Sequence, residues 1–463
     1  MAKIPPEWLL ADSIVQEGKS LRKVTGIFFD KLLDSATRDI TSLGTEDLIH
    51  AMNTSELTAV QVVQAFNKRA AYVHQLTSNM LEINFDIALD RAKELDHHFQ
   101  AHGALVGPLH GLGTSLGFVG WINTFEGHKG TGKEKRFESE TVKELHHLDA
   151  PPETNTNIVG YQWNPHNQVV SAGGLSGGEA VMQAMRGSAF GIGTDIGGSV
   201  SMPAFYNGIF SLKPSAGRLL VKNTANTDPY VVPIPWKEPL SETPESATFG
   251  FVEHDGIVHP HPPVSRAMEI VRQALNNSSY EILARDPLSN KYSDEIHGPI
   301  ARGDGCPDVW AALQLSGEPP VPEIASLFTS KSPKPPIPLP GYKEVVVKMK
   351  TYRFKYQEYW ESSASRTQNG LPVKAIVQPV SPYAGVLPWN SANILDFPTI
   401  VIPVTVADQE LDIKNMDAYD LKAYHGSPVG IQLIGMRLCE EQLLEMARLV
   451  TDAIGEYKKA MAA

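Results

Sequence analysis

The segment from Gly173 to Pro203 restricts the fold more than any other part of the sequence, because it places two clusters of glycines on either side of a helical pattern. It reads GGLSGGEAVMQAMRGSAFGIGTDIGGSVSMP. The first cluster, GGLSGG, permits backbone angles that a Cβ atom forbids, and it lets another group approach the main chain closely. Apolar residues at helical spacing follow in EAVMQAM. We therefore expect a loop, a helix and a second loop that together form the floor of a site.

The second cluster, GTDIGGS at positions 193–199, has the pattern of an anion-binding turn. The successive N–H groups from Ile196 to Ser199 can point to one position, and such a nest stabilises the oxyanion that forms on a carbonyl under attack. Ser199 would then be the attacking hydroxyl. A single glycine-rich turn is usually a connection between packed elements. Two clusters, a Thr-Asp pair and a terminal serine in one short segment favour a functional site.

The remaining sequence alternates between helical and strand patterns. Helical periodicity is found in TAVQVVQAFNKRAAYVHQL, in FDIALDRAKELDHHFQAHG, where Gly103 has a C-cap position, and in the last helix, CEEQLLEMARLVTDAIGEYKKA. Short β-branched segments typical of buried strands are VKAIVQPVSP, FPTIVIPVTV and SPVGIQLIGM. Proline-rich text between Asn223 and Pro263, and from Gly317 to Gly341, predicts surface loops. These patterns predict a single α/β domain with a mixed β-sheet core flanked by α-helices.

Composition limits the partners of the chain. A formal net charge of −12 over 463 residues argues against nucleic acid, because phosphate binding requires a basic face. No run of about 20 apolar residues offers a membrane span, and MAKIPPEWLL lacks the pattern of a secretory signal, so we expect a cytoplasmic protein. Two cysteines, no HExxH and no GxxxxGKS predict no metal, no nucleotide and no other cofactor. The expected partner is a small-molecule substrate or ligand, with a homodimer as a further possibility.

The whole segment resembles the signature of the amidase signature family, whose members hydrolyse amides with a Lys–Ser–Ser triad. The family pattern is roughly GGSSGG, a helix and then GTDIGGSxRxPA. Similarity to the fungal-type acetamidase-like branch extends to VGPLHGL, FSLKPSAGRL, DGIVHPHPPVSRA and HGSPVGIQLIGMR, so the resemblance covers almost the whole chain. It implies one amidase-signature domain over residues 1–463, with a signature core at about 165–220 and an N-terminal helical segment at about 1–103.

The resemblance does not extend to all three residues of the family's catalytic triad. The family nucleophile matches Ser199, and Ser176 matches the second serine of GGSSGG, which supports the turn in the family. Leu175 stands where the family has the bridging serine, and leucine can neither accept nor donate a proton. The simplest alignment also deletes the lysine segment, since Leu112-Gly113 leads almost directly into TSLGF. Leu175 would either fill the space that the deletion leaves or form an apolar wall of the pocket.

Asp195 and its neighbours are the remaining candidates for proton transfer. The family's arginine two residues after the nucleophile is Ser201 here, so Asp195 is expected to lack a cation. A carboxylate without a cation in a glycine-lined pocket would suit proton transfer, whereas its alternative role is to cap backbone N–H groups of the turn. The candidate catalytic residues are therefore Ser199, Asp195 and Thr194. The candidate oxyanion- or substrate-binding residues are Ile196, Gly197, Gly198, Leu175 and Ser176.

Three functions are compatible with this pattern. The first is an enzyme repurposed for a non-hydrolytic step (cyclisation, isomerisation or condensation) on a carbonyl-bearing small molecule, for instance in secondary metabolism. The second is a catalytically inactive pseudo-amidase that acts as a binder or scaffold. The third is an amide or ester hydrolase in which another base activates Ser199, with the lysines of EGHKGTGKEKRFESE as poor candidates. The loss of the lysine segment beside an intact GTDIGGS favours the first.

Overall fold

The computed structural model describes residues 4–80, 83–107, 109–112, 114–116, 154–157, 159–218, 231–237, 247–286, 288, 291–329, 332–384, 395–413 and 419–462. The expected deletion junction at Gly113 lies outside these described residues, as do the lysines of residues 126–140. Both glycine clusters of the signature segment lie inside them.

The predicted helices begin and end at the residues that cap them. Thr58 and Gln61 form a reciprocal capping box at the start of α5 (Ala59–Thr77), and α6 (Phe85–His102) ends at Gly103 in the left-handed conformation, so both predicted helices are confirmed. The last predicted helix is α15. The α-helices are α1 Asp12–Ser20, α2 Ile27–Asp30, α3 Ser35–Ser42, α4 Thr45–Asn53, α5 Ala59–Thr77, α6 Phe85–His102, α7 Gly177–Ala184, α8 Ser201–Asn207, α9 Pro262–Asn277, α10 Lys291–Arg302, α11 Pro307–Ser316, α12 Pro322–Ala325, α13 Leu339–Glu361, α14 Leu421–Tyr424 and α15 Glu440–Ala462. Short 3₁₀ turns are Pro6–Trp8 and Ser362–Arg366.

Six of the described strands form one mixed sheet in the order β7-β11-β12-β10-β8-β9. The strands are β1 Thr114–Leu116, β2 Asn155–Thr156, β3 Gly160–Tyr161, β4 Trp163–Asn164, β5 Asn167–Ser171, β6 Phe190–Ile192, β7 Ser211–Lys213, β8 Thr248–Phe251, β9 Glu281–Ala284, β10 Ala375–Gln378, β11 Thr399–Val406 and β12 Pro428–Ile434. β8 is parallel to both β9 and β10, while β12 is antiparallel to both β10 and β11. The three predicted strands are β10, β11 and β12, so the mixed sheet is confirmed.

Helices bury both faces of this sheet. Every residue of β12 is buried, as expected for a strand covered on two sides. On one face, β-strand residues such as Phe249 and Leu433 pack against α8, α9 and α15. On the other face, Ile376 and Ile434 pack against Tyr356 and Trp360 of α13. The result is the single-domain α/β architecture that the sequence predicts.

The interpretation of residues 223–263 as a surface loop is wrong at residues 248–251, and α9 begins at Pro262 near the end of that range. Within that range, the short segment TFGF forms β8, whose four residues are all buried between β9 and β10. A strand buried on both faces has no alternation of polar and apolar residues, so periodicity could not identify it. The second expected loop, 317–341, contains the one-turn helix α12 and the start of α13 at Leu339.

The N-terminal helices surround α5. One side of α5 packs with Val181 and Met182 of α7, and its other side packs with Leu48 of α4 and Leu95 of α6. The signature helix α7 is therefore anchored on the N-terminal helical segment as well as on the sheet region. Among the described residues, no helix combines the length and the apolar character that crossing a membrane requires.

Candidate active site

The first glycine loop connects β5 to α7 and lies directly against the second loop. Gly173 and Gly174 have φ angles of +76° and +52°, in the left-handed region that favours glycine. A Cβ atom on Gly174 would lie 2.6 Å from Cδ of Pro203 and 3.1 Å from Cα of Ser199. Any side chain there would push the two loops apart. These glycines therefore bring the loop that holds Leu175 into contact with Ser199.

Asp195 holds the second loop in shape. Its Oδ1 atom accepts a hydrogen bond from the N–H of Gly198 (2.6 Å). Its Oδ2 atom accepts from the N–H groups of Val200 (2.9 Å) and Ser201 (3.0 Å), and from the Ser201 hydroxyl (3.1 Å). Gly198 has a φ of +107°, which lets the chain turn around the carboxylate. Asp195 thus has the capping role that the sequence offered as its alternative.

Ser176 links the two loops. Its backbone N–H donates to the carbonyl of Ser199 (3.1 Å). Its hydroxyl accepts from the N–H of Thr194 (3.2 Å) and lies 3.4 Å from the carbonyl oxygen of the same residue. Ser176 is 6% exposed, so water does not replace these bonds. This arrangement is the supporting position that the resemblance implies for the second serine of GGSSGG.

Ser199 lies at the end of the second loop and is 4% exposed. Its hydroxyl forms no hydrogen bond with the described residues, whereas an activated serine has a base within hydrogen-bond reach. Leu175 is half-buried and lies between Gly174 and Ser176, both of which approach Ser199. The backbone at Leu175 is therefore held close to the backbone of Ser199.

The second loop has fewer N–H groups available for a ligand than the sequence predicted. The expected donors ran from Ile196 to Ser199, but the N–H of Gly198 is committed to Asp195. Within the described part of the chain, the N–H groups of Ile196, Gly197 and Ser199 have no protein acceptor. These three donors remain for an oxyanion or a carbonyl oxygen.

Lys213 at the end of β7 is a buried cation whose electrostatic interactions include the carboxylate of Asp195. Its side chain is 9% exposed, and the charges of Asp195, Asp396 and Glu440 act on it. Burial lowers the pKa of Lys213, and the three carboxylates oppose that shift. Sequence reasoning missed this lysine because it is 18 positions after Asp195, although FSLKPSAGRL was noted as a family-like segment.

The segment after β7 is fixed by a buried ion pair. Arg218, which is 2% exposed, donates from Nε to Glu440 at the start of α15 (3.2 Å). Glu440 also accepts from the N–H of Ser215 (2.9 Å). Removing one member of such a pair is strongly destabilising, because the other charge stays buried. This anchor holds β7, and with it Lys213, in position.

His297 on α10 is a second residue that sequence reasoning missed. Its Nε2 atom is 3.0 Å from the carbonyl oxygen of Ile196. A peptide unit is planar and trans, so its carbonyl and its N–H point in opposite directions. By binding the Ile196 carbonyl, His297 fixes the direction of the Gly197 N–H, one of the three remaining donors. No local pattern around His297 indicates this contact, since it joins positions about a hundred residues apart.

The structure therefore brings the eight predicted site residues together in two contacting loops, with His297 bonded to the second loop. The second loop holds the Ser199 hydroxyl and three N–H groups without an acceptor among the described residues, and groups of this kind can polarise a carbonyl group. No group of three or more His, Cys, Asp or Glu side chains among the described residues is placed to hold a metal ion.

The fold and the paired glycine loops define a protein of the amidase class, and comparisons with known proteins agree. The family model described as Amidase matches residues 144–223 and 220–444. The chain is 31% identical to an acetamidase of Aspergillus oryzae and 31% identical to an acetamidase of Emericella nidulans, in each case over 98% of this chain and 96% of the relative. The chain therefore belongs to the amidase signature family.

A solved structure of a fatty acid amide hydrolase shares the fold of this protein. It superimposes with a TM-score of 0.84 at 24% sequence identity, over 98% of this chain and 92% of that one. At this identity the likeness concerns the architecture: a single domain in which a mixed sheet is surrounded by helices.

Proposed function

We propose that the two loops bind the carbonyl group of a small amide-like molecule and catalyse a non-hydrolytic step on it, such as a cyclisation, an isomerisation or a condensation. The N–H groups of Ile196, Gly197 and Ser199 would hold the carbonyl oxygen. One observation carries the proposal: a turn with free donors stands beside Leu175 and a Ser199 hydroxyl that has no hydrogen-bond partner among the described residues.

The chemistry of serine explains why ordinary hydrolysis is expected to be slow. A serine hydroxyl is a weak nucleophile unless a base takes its proton, and Leu175 cannot relay one. Loss of triad members lowers the rate by about 10⁴–10⁶-fold, while each oxyanion donor retains a contribution of roughly 10²–10³. A site that polarises a carbonyl without attacking it favours reactions in which the nucleophile or the proton comes from the bound molecule.

The comparisons indicate that this chain lacks segments that its relatives have. The alignment with the Aspergillus oryzae acetamidase covers 543 positions, which is 80 more than the 463 residues of this chain, so this chain has gaps relative to it. The family match starts at residue 144, after the PLHGL segment near which the resemblance places the lysine. We infer that one of these gaps is the deletion of the lysine segment.

An amide hydrolase with a different base is the second candidate function. It is favoured by the 31% identity to two acetamidases over nearly the whole chain. His297 would be the group to consider first, because it already contacts the oxyanion turn at the carbonyl of Ile196. Lys213 would be the second, because burial shifts its pKa toward the neutral form that a base requires.

One experiment separates the two candidates. Purified full-length protein is incubated with acetamide, aryl amides and aryl esters, and in parallel with a fluorophosphonate probe that labels activated serines. The proposal predicts turnover at or near background and weak labelling, equal in the wild type and in Ser199→Ala. Fast, stoichiometric labelling that Ser199→Ala abolishes would instead establish the hydrolase. Ser188→Ala, another buried serine, is the matched control for nonspecific labelling.

A further inference from the structure

A cavity separate from the two loops lies at the carboxyl ends of two parallel strands. β8 and β9 end at Phe251 and Ala284, which are register partners. Both residues line a cleft of about 550 Å³, and a neighbouring cavity of about 520 Å³ shares Phe251 with it. Ligands of α/β proteins bind preferentially outside the carboxyl ends of parallel strands. The position and the volume therefore suit a small organic molecule.

Arg285, which follows β9 directly, is built into the wall of this cleft. Its side chain is 7% exposed and crosses the sheet over Gly250, where a Cβ atom would lie 3.1 Å from the Arg285 Cδ atom. The guanidinium carbon lies 3.9 Å from the centre of the Tyr359 ring, and Nη2 donates to the Tyr359 carbonyl. The absence of a side chain at Gly250 thus leaves space for the Arg285 side chain, and the Tyr359 ring packs against its guanidinium group.

Arg285 is a buried cation, and no carboxylate of the described residues forms an ion pair with it. Its Nε atom is buried and has no hydrogen-bond partner among the described residues. Buried charges are normally paired, because desolvation of an isolated ion is strongly unfavourable. An anionic group on a ligand in the cleft that Arg285 lines would supply a counter-charge to its guanidinium group.

Two further arginines and two carboxylates line the same cleft and indicate the class of anion. Arg366 donates to the Ala284 carbonyl (2.9 Å), and Arg272 pairs with Glu269 on its own helix. Glu253 and Asp286 share the cleft with them. The planar fork of an arginine matches a carboxylate, and the neighbouring carboxylates would repel a phosphate dianion more than a monoanion.

We propose that this cleft binds a small carboxylate-bearing molecule, with Arg285 and Arg366 as the residues that recognise the carboxylate. Glu253 and Asp286 would face any ammonium group that the same molecule carries. The site does not depend on the function of the two loops, since none of the residues that line it belongs to either loop.

Titration calorimetry and thermal unfolding of the full chain test this site with three probes: benzoate, glutamate and inorganic phosphate. Benzoate or glutamate should bind saturably and raise the melting temperature, and Arg366→Gln should weaken that binding about tenfold or more. Arg366 is exposed, so its replacement should leave the fold intact. Arg38→Gln, at an exposed arginine of α3, is the matched control and should leave binding unchanged.

Three results would overturn the proposal: no saturable binding of any probe, phosphate binding at least as tight as carboxylate binding, or carboxylate binding that Arg366→Gln does not weaken. Ser199→Ala should leave carboxylate binding at this cleft unchanged. A failure of the function proposed for the two loops is therefore distinguishable from a failure here.

Discussion

Ser176 and Ser199 are joined by a backbone hydrogen bond of 3.1 Å, in which the N–H of Ser176 donates to the carbonyl of Ser199. This bond places Leu175, the residue before Ser176, beside the serine that the family uses as its nucleophile. The relay position and the nucleophile are thus held together by the backbone, independently of which side chain occupies position 175. A change in chemistry at Leu175 can therefore occur without a change in the fold.

The first prediction is that Ser176→Ala destabilises the protein by about 1–3 kcal/mol. The hydroxyl of Ser176 accepts the N–H of Thr194, and removal of a buried partner leaves that donor unsatisfied. Urea denaturation of both proteins measures the difference in the free energy of unfolding. Ser20→Ala, at an exposed serine whose hydroxyl donates to Glu17 within α1, is the matched control and should change it by less than about 0.5 kcal/mol. An equal effect of the two substitutions would contradict the linking role of Ser176.

The second prediction contrasts two neighbours in the same loop. Asp195→Asn weakens charge-assisted bonds to the N–H groups of Gly198, Val200 and Ser201, so we expect a loss of about 2–4 kcal/mol. Ser199→Ala removes a hydroxyl without a described partner and should change stability by less than about 1 kcal/mol. Urea denaturation of the wild type and of the two variants measures both changes in the free energy of unfolding.

Product formation in the native pathway completes this second test. Loss of product in Ser199→Ala at unchanged stability supports catalysis at the loops. If both variants fold and the pathway runs at full rate, the site is vestigial and the protein is a binder or scaffold.

The sequence predicted the long periodic elements of the fold and missed the short buried ones. Helices α5, α6 and α15 repeat apolar residues over several turns, and β10 to β12 are β-branched segments bounded by Pro or Gly. β8 has four residues within proline-rich text, and its partners β9 and β10 are distant in the chain. Its existence depends on those partners more than on its own pattern.

The same distinction applies to the candidate site. The two loops could be predicted because their glycines, Asp195 and Ser199 lie in one segment. His297 reaches that segment from α10, and Lys213 on β7 interacts electrostatically with Asp195; neither interaction follows from local sequence. The capping role of Asp195 could be offered only as an alternative, because the sequence does not show which N–H groups its carboxylate accepts from.

The third prediction concerns Leu175→Ser. If Leu175 forms an apolar wall of the pocket, a serine there weakens the binding of small amide ligands, because the wall loses apolar contact area. Hydrolysis should stay at background, because one restored hydroxyl does not restore the family's lysine. Thermal-shift titration with amides measures binding, and release of ammonia from acetamide measures hydrolysis. Hydrolysis gained from this single substitution would refute the expected deletion of the lysine segment.

The last prediction concerns acid stability and His166. Burial, assisted by the charge of Lys23, lowers the pKa of His166 from 6.5 to about 4. Between these two pH values the unfolded chain protonates His166, whereas the folded protein keeps it neutral. The contribution of His166 to the free energy of unfolding is therefore fully present above about pH 6.5 and is lost as the pH falls toward about 4.

With roughly 1.4 kcal/mol for each pH unit, His166 should account for a loss of about 3 kcal/mol over that interval. His74, His110 and His261 have pKa values lowered by burial in the same direction, so the test compares proteins and does not rest on a single curve. The free energy of unfolding of the wild type and of His166→Asn is measured between about pH 7 and pH 4. The variant should lose less stability across this range, whereas His50→Asn, at an exposed position of α4, should follow the wild type. Parallel curves for the wild type and His166→Asn would show that His166 does not resist protonation in the folded protein.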